Sequence, residues 1–327
     1  MAKVVLTKEL PEELLEVLKG EGEHEVVVVP DTGESFSADL NRELKDATAL
    51  ISTKVKINKD LLEEAPDLRI VSTISVGYDN FDVEAMKQAQ VIGTHTPGVL
   101  DETVADLTFG LILSSARRIA ELDQVIREGG WTVGDDLAFY GTDVHHKTLG
   151  IIGMGRIGEK IAKRAIFGFG MNVLYYNRSQ KPETEERLGV HYASFDEVLS
   201  QSDFVVVVTP LTDETYHLFD RAAFQKMKST AYFINVSRGQ TVDEDALLQA
   251  LESGEISGAA LDVYDKEPVR PDHPLLRLRN VTLTPHIGSA VVQTRFDMAA
   301  LAVQNVKAFL EKGTPPSVIP ELACLLQ

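Results

Sequence analysis

One cysteine in 327 residues, Cys324, leaves no intramolecular disulfide to form, and the chain is expected to work in a reducing compartment, the cytoplasm. Basic residues are also in short supply: 32 Lys and Arg stand against 50 Asp and Glu, a net charge of −18. That balance repels a polyanion, and no Lys/Arg stripe tracks a phosphate backbone, so nucleic acid is excluded as a partner. Long apolar runs are missing. Val26–Val29 and Phe204–Val208 are far shorter than the roughly 20 residues that a bilayer requires, so no membrane is expected. The first ten residues have neither the basic start nor the apolar stretch of a secretory signal. No Cys or acidic cluster has metal-ligand spacing. The adjacent His145 and His146 are expected to point apart, so no metal is expected. The absence of a G-x-S-x-G elbow removes support for serine hydrolysis.

What is present is an ordinary globular composition at about twice single-domain length, which implies two domains. In the first hundred residues, apolar runs at Val4–Thr7, Val26–Val29, Ala49–Ser52, Arg69–Ser75 and Val91–Thr94 read as strands. Pro11–Leu18 and Asp60–Ala65 read as helices between them. This alternation implies a parallel sheet with helices on its faces, an α/β class. A single long helix is expected from Glu102 to about Arg127, ended by Gly129–Gly130. Its small residues (Ala105, Gly110, Ser114, Ser115, Ala116) suit a position between domains or subunits. The alternation then restarts, with six strand-like runs at Thr148–Ile152, Asn172–Tyr176, Phe204–Thr209, Tyr232–Val236, Ala259–Val263 and Val281–Thr284. Six parallel strands match a complete Rossmann-like dinucleotide-binding domain.

Gly153-Met154-Gly155-Arg156-Ile157-Gly158 is a G-x-G-x-x-G run. Alone the pattern is weak, and an ordinary glycine-rich turn is the bland reading. Here it follows the strand Leu149–Ile152 and opens the helix to Phe167, the setting that puts a pyrophosphate on a helix N-terminus. An NAD site expects an acid near the end of the second strand, for the ribose 2′-hydroxyl. The sequence has Asn177, Arg178 and Ser179 instead. These can donate to a 2′-phosphate, so NADP(H) is the expected cofactor, with NAD(H) as the alternative.

Ligands of open parallel sheets bind outside the carboxyl ends of the strands. Thr209-Pro210, Ser237-Arg238-Gly239, Asp262 with Glu267-Pro268 beyond it, and Pro285-His286-Ile287-Gly288 all fall at those ends. Singly, Arg238 reads as a surface ion-pair residue, Glu267 as a turn residue and His286 as one of eight histidines. Together, a cation, a carboxylate and an imidazole suit the reduction of a 2-oxo acid, which needs an anchor for the carboxylate and a proton for the carbonyl oxygen. Trp131 and Tyr140 could reach the pocket, but packing at the interface is the better reading.

These residues, with Ser75–Asn80, Thr96–Leu100, Glu102–Asp106, Asn235–Gly239, Leu261–Val263 and Pro285–Ser289, make the whole chain resemble the D-2-hydroxyacid dehydrogenases, in particular the bacterial glyoxylate/hydroxypyruvate reductases that also reduce 2-ketogluconate. The resemblance implies two Rossmann-like or flavodoxin-like doubly wound domains with the active site in the cleft between them. The substrate domain would be discontinuous (1–101 plus 289–327) and the dinucleotide-binding domain would span 102–288. It implies a homodimer built in part by the helix after Glu102. Arg238, Glu267 and His286 fall on the catalytic positions; Val76, Gly77 and Arg295 fall on the substrate side. Thr103, Thr209, Thr215 and Asp262 match positions near the nicotinamide. Arg156, Ile157, Pro210, Val236, Ser237 and Gly288 complete the cofactor set. The mechanism implied has His286 give a proton to the carbonyl oxygen, Glu267 fix the tautomer and favour the charged ring, and Arg238 hold the carboxylate. Formate dehydrogenase is disfavoured by Glu267. Phosphoglycerate dehydrogenase is disfavoured by the Asn177 loop and by the lack of room for a regulatory domain. An NAD-dependent dehydrogenase of another specificity and a nucleotide-sensing corepressor are the remaining alternatives.

Overall fold

β-Branched runs too short to be helices become the strands of two parallel sheets in a computed structural model, which describes residues 1–20, 22–32, 35–134 and 136–326. By packing, the chain divides into two units, Met1–Leu100 with Ala290–Gln327, and Asp101–Ser289.

The first unit opens with β1 (Ala2–Leu6), α1 (Glu12–Lys19), β2 (His24–Val28), α2 (Phe36–Leu44) and β3 (Ala49–Ser52). It continues with α3 (Lys59–Glu64), β4 (Ile70–Thr73), α4 (Val83–Gln88) and β5 (Ile92–Thr94). The strands pair in parallel in the order β2-β1-β3-β4-β5, the flavodoxin-like arrangement. Every residue of β3 and β4 is buried, as helices on both faces of a parallel sheet require. Periodicity alone does not single out α2 or α4. The six residues of α4 are fixed by a cap, the Asp82 carboxylate accepting the Ala85 N–H at 3.0 Å.

The second unit begins with α5 (Asp101–Ala116), α6 (Ile119–Arg127), β6 (Thr148–Ile152), α7 (Arg156–Phe169) and β7 (Asn172–Tyr176). Next come α8 (Pro182–Leu188), β8 (His191–Tyr192), α9 (Phe195–Gln201), β9 (Phe204–Val207) and α10 (Arg221–Lys226). β10 (Tyr232–Asn235), α11 (Glu244–Ser253), β11 (Gly258–Leu261) and β12 (Val281–Leu283) complete it. The C-terminal helix, α12 (Val292–Lys312), returns to the first unit and packs on β3, β4 and α1. The sheet of the second unit runs β12-β11-β10-β9-β6-β7-β8. It therefore has seven strands where six were expected. The unforeseen strand is β8, two exposed residues on the edge beside β7. With it, the order contains the 3-2-1-4-5-6 of a dinucleotide-binding sheet, extended by β12.

The long helix expected over 102–127 is two helices. Arg118 takes a left-handed backbone (φ 56°) between α5 and α6. Its guanidinium explains the stop: it makes two bonds to Glu121 (2.8 and 2.7 Å) and one to the Ala138 carbonyl (2.7 Å). α5 packs on α7, β10 and β11, burying Ala105 and Ala116. The rings of His145 and His146 do not point apart; they meet edge to face at 5.1 Å, because His146 also has a positive φ (59°) and lies outside any regular element.

Candidate active site

The glycine turn between β6 and α7 is shaped by three different constraints. Gly153 has φ 106°, and a methyl there would lie 2.8 Å from the Val208 carbonyl oxygen. A methyl on Gly158 would strike the Gly153 carbonyl oxygen, so helix and strand pack as closely as backbones allow. Gly155 differs. It has extended backbone (φ −88°, ψ −164°) and a Cβ there would meet nothing within 4 Å. The space beside it is open, and α7 receives no side-chain cap at its N-terminus. A bare helix start beside open space is what a dinucleotide pyrophosphate needs. Arg156, the first residue of α7, is largely exposed, with Nε 3.5 Å from the Asp101 carboxylate. Ile157 and the buried Gly158 follow on the first turn.

Beyond β7, Asn177 is half-buried and Arg178 and Ser179 are exposed; the Asn177 amide donates to the Ser179 carbonyl at 3.1 Å. Across from them, the Glu214 carboxyl is held below its usual range, chiefly by a hydrogen bond from Thr212 and in part by the charge of Arg178. At the end of β9, the Thr209 hydroxyl is buried without a hydrogen-bond partner among the described residues, a group able to donate or accept a hydrogen bond. Thr215 turns inward on its own loop, donating to the Pro210 carbonyl at 2.7 Å and accepting the Thr212 N–H at 2.8 Å.

Arg238 stands in the turn after β10, beside the half-buried Val236 and the buried Ser237. Its carbonyl accepts from the Asn235 amide (3.0 Å) and the Thr241 hydroxyl (2.7 Å), while its Nη1 donates to the Ser237 carbonyl (2.9 Å). Next to it, Gly239 lies so close to the backbone of Tyr264 that any Cβ would overlap the Tyr264 carbonyl. That contact sets the Arg238 turn against the segment leading to Glu267. Glu267 accepts the Tyr264 N–H on Oε1 at 3.3 Å and the His286 Nδ1–H on Oε2 at 2.7 Å. His286 itself has φ 53°. For a residue with a Cβ this conformation costs about 1–2 kcal/mol, so the surrounding structure must impose it.

Asp262 supplies that constraint. It is 1% exposed and accepts the Thr284 hydroxyl (2.7 Å), the Ile287 N–H (2.8 Å) and the Gly288 N–H (2.8 Å), bracketing residue 286 on both sides. Burial pushes its carboxyl above the usual carboxylate range; the three hydrogen bonds pull the other way without cancelling the effect. The Tyr264 hydroxyl reaches the Thr284 carbonyl at 3.0 Å from beneath. Asn235, Gly239, Tyr264 and Thr284 are residues that sequence reasoning missed as supports. Only Gly239, in a run after a strand, carries a local signal.

Thr103 is half-buried on the first turn of α5. In the first unit, Val76 and Gly77 form a half-buried turn after β4. The Ser75 hydroxyl donates to the Gly77 carbonyl, and His95 Nδ1 lies 2.9 Å from the Val76 carbonyl. Arg295 is half-buried on the first turn of α12. Among the described residues no group of three or more His, Cys, Asp or Glu could hold a metal ion, and no helix is long and apolar enough to cross a membrane.

Residues 109–288 match the family described as D-isomer specific 2-hydroxyacid dehydrogenase, NAD binding domain. Glyoxylate/hydroxypyruvate reductase B of Escherichia coli K12 is 50% identical over 308 residues, 93% of each chain. The protein of the same description from Klebsiella pneumoniae is 49% identical over 304 residues, again 93% of each. Among solved structures, a protein from Thermus thermophilus superposes with a TM-score of 0.89 at 41% identity, covering 97% of this chain and 99% of that one. An NADPH-dependent glyoxylate/hydroxypyruvate reductase from Sinorhizobium meliloti, in complex with NADP and malonate, gives 0.87 at 32% identity, covering 98% and 97%.

Proposed function

Since the chain belongs to the D-isomer specific 2-hydroxyacid dehydrogenases, a family of oxidoreductases, we propose that it reduces glyoxylate, hydroxypyruvate and 2-ketogluconate to the D-2-hydroxy acids, with NADPH as the preferred reductant. The observation that carries this reading is the 2.7 Å bond between Glu267 and His286 at the ligand edge of a dinucleotide-type sheet. The open space at Gly155 and the orphaned Thr209 hydroxyl fit the cofactor. The missing acid at 177–179 supports NADPH, as does the NADP bound to the Sinorhizobium relative.

The bound nicotinamide supplies the hydride. The protein does the rest. Arg238 takes the substrate carboxylate in its planar fork and polarises the neighbouring carbonyl. His286 donates from Nε2 to the carbonyl oxygen while Nδ1 stays on Glu267, which keeps the ring in one tautomer throughout. Val76, Gly77 and Arg295 are assigned to the substrate, with units 1–101 plus 289–327 and 102–288 as substrate and dinucleotide-binding domains. The enzyme works in the cytoplasm as a homodimer. Exposed Ile119, Ile126, Trp131 and Tyr140 supply apolar surface for that pairing.

Initial rates with each of the three oxo acids, using NADPH and then NADH, test the proposal. Turnover with NADPH well ahead of NADH is expected. Equal catalytic efficiency with both cofactors would refute the cofactor preference, and no turnover with any oxo acid would refute the enzymatic reading in favour of a nucleotide sensor.

A further inference from the structure

Behind the Glu267–His286 pair lies a second carboxylate–imidazole pair that the proposed chemistry does not use. Glu244 is the first residue of α11. Its Oε1 accepts the Asp265 N–H at 2.8 Å, and its Oε2 lies 3.3 Å from His273 Nε2. Both side chains are mostly buried, 18% and 23% exposed. The other ring nitrogen, His273 Nδ1, is buried without a hydrogen-bond partner among the described residues, so the contact with Glu244 is the polar contact this ring makes there.

Burying a carboxylate this far costs stability unless its bonds are needed. Capping α11 is not the need, because the neighbouring Asp243 already accepts the Asp245 and Ala246 N–H groups at 3.1 and 3.2 Å. What Glu244 grips instead is the peptide two residues before Glu267. The Asp265 carbonyl is held from the other side by the Gln240 amide. The Tyr264 N–H, one residue back, goes to Glu267 Oε1. The segment that aims Glu267 at His286 is thus fixed at Tyr264 by Gly239, and at Asp265 by Glu244 and Gln240.

We infer that Glu244, braced by His273, is a positioning residue for the proton donor: it fixes Asp265 and so sets the Glu267 carboxylate on His286. This rests on the proposed role of that pair. The test uses the full-length enzyme with NADPH and the best oxo acid, in Glu244→Ala, Glu244→Gln, Glu267→Gln and the double variant Glu244→Ala/Glu267→Gln. Glu267→Gln should move the alkaline limb of reduction to lower pH. Glu244→Ala should move it the same way and lower kcat by up to about 10²-fold, the scale of a 1 Å misplacement, while the NADPH dissociation constant stays within about twofold. Glu244→Gln keeps an oxygen for the Asp265 N–H and should recover most of the rate. In the Glu267→Gln background, Glu244→Ala should cost little more, since residues that act through one another are not additive.

A merely structural role predicts something else: a lower urea midpoint, with kcat and the alkaline limb of the folded enzyme unmoved. That result overturns the inference. If Glu244→Ala does not fold, His273→Leu removes only the brace, and an unmoved limb in that variant overturns the inference equally. If Glu267→Gln itself leaves the limb in place, the proton-donor role fails and takes this inference with it, an outcome visible without any Glu244 variant.

Discussion

An alanine placed at Gly155 and another at Gly158 should separate cofactor binding from stability, although the two glycines are one helical turn apart. At Gly155 the backbone is extended and, its immediate chain neighbours aside, no atom of the described residues lies within 4 Å of the added methyl. Such a replacement restricts the unfolded chain and stabilises by about 0.4–1 kcal/mol. The same methyl takes the space where a pyrophosphate must approach the start of α7. Forced overpacking costs about 1–3 kcal/mol, which corresponds to a dissociation constant for NADPH raised roughly 5- to 150-fold. At Gly158 the methyl strikes the Gly153 carbonyl oxygen, and backbone cannot yield as a side chain does. Here the loss of about 1–3 kcal/mol should appear in folding stability. Nucleotide fluorescence titration reads the first quantity, and urea denaturation of the ligand-free protein reads the second. An NADPH affinity unchanged within twofold in Gly155→Ala would refute the cradle, as would equal stability losses in the two variants.

Three further outcomes are expected. His286→Ala should lower kcat about 10²- to 10⁴-fold at every pH, the range of a lost general acid, and near-parental rates would remove His286 from the chemistry. Arg178→Ala should weaken NADPH roughly 10- to 100-fold at low salt and leave NADH unchanged, since a bond to a charged group is worth about 1.5–3 kcal/mol and an exposed one is screened by salt. An equal loss for both cofactors would refute its role at the 2′-phosphate. Asp203 reports on acid stability. Burial pushes its carboxyl up, but the Thr148 N–H (2.9 Å) and the Lys228 ammonium (2.9 Å) outweigh burial and leave it below the usual range. A depressed native value means the contribution is fully present above the unfolded value of about 3.9 and is lost as the pH falls through the native one. Asp203→Asn should therefore cost about 1–2 kcal/mol at neutral pH in urea denaturation, with the gap closing as the pH falls through the depressed native value.

The central strands were legible in the sequence because burial on both faces demands unbroken apolar runs, as in Phe204-Val205-Val206-Val207. β8 was not, because two exposed edge residues, His191 and Tyr192, bury nothing and leave no pattern. The break at Arg118 was hidden for the opposite reason. Ile119, Leu122 and Ile126 continue a helical repeat, while the stop is imposed by Glu121 and by a carbonyl 20 residues downstream. The glycine turn and the positions of Arg238 and His286 could be read because the carboxyl ends of parallel strands fix where ligands bind. The supporting roles could not. Asp262 meets residues 284–288 across more than 20 positions, and Glu244 meets Asp265 across 21, distances at which local spacing carries no signal.

The contact of Gly239 with the Tyr264 carbonyl has a consequence for anyone who would retune this enzyme. It is a weld between two turns, one bearing Arg238 and the other leading to Glu267, and it is made of main chain alone. Grafting a longer loop at either place would pry the weld apart and disarm both side chains together. Diversity is better sought where the chain faces water, as at Arg270 to Asp272, with residues 239 and 264 held constant in any library.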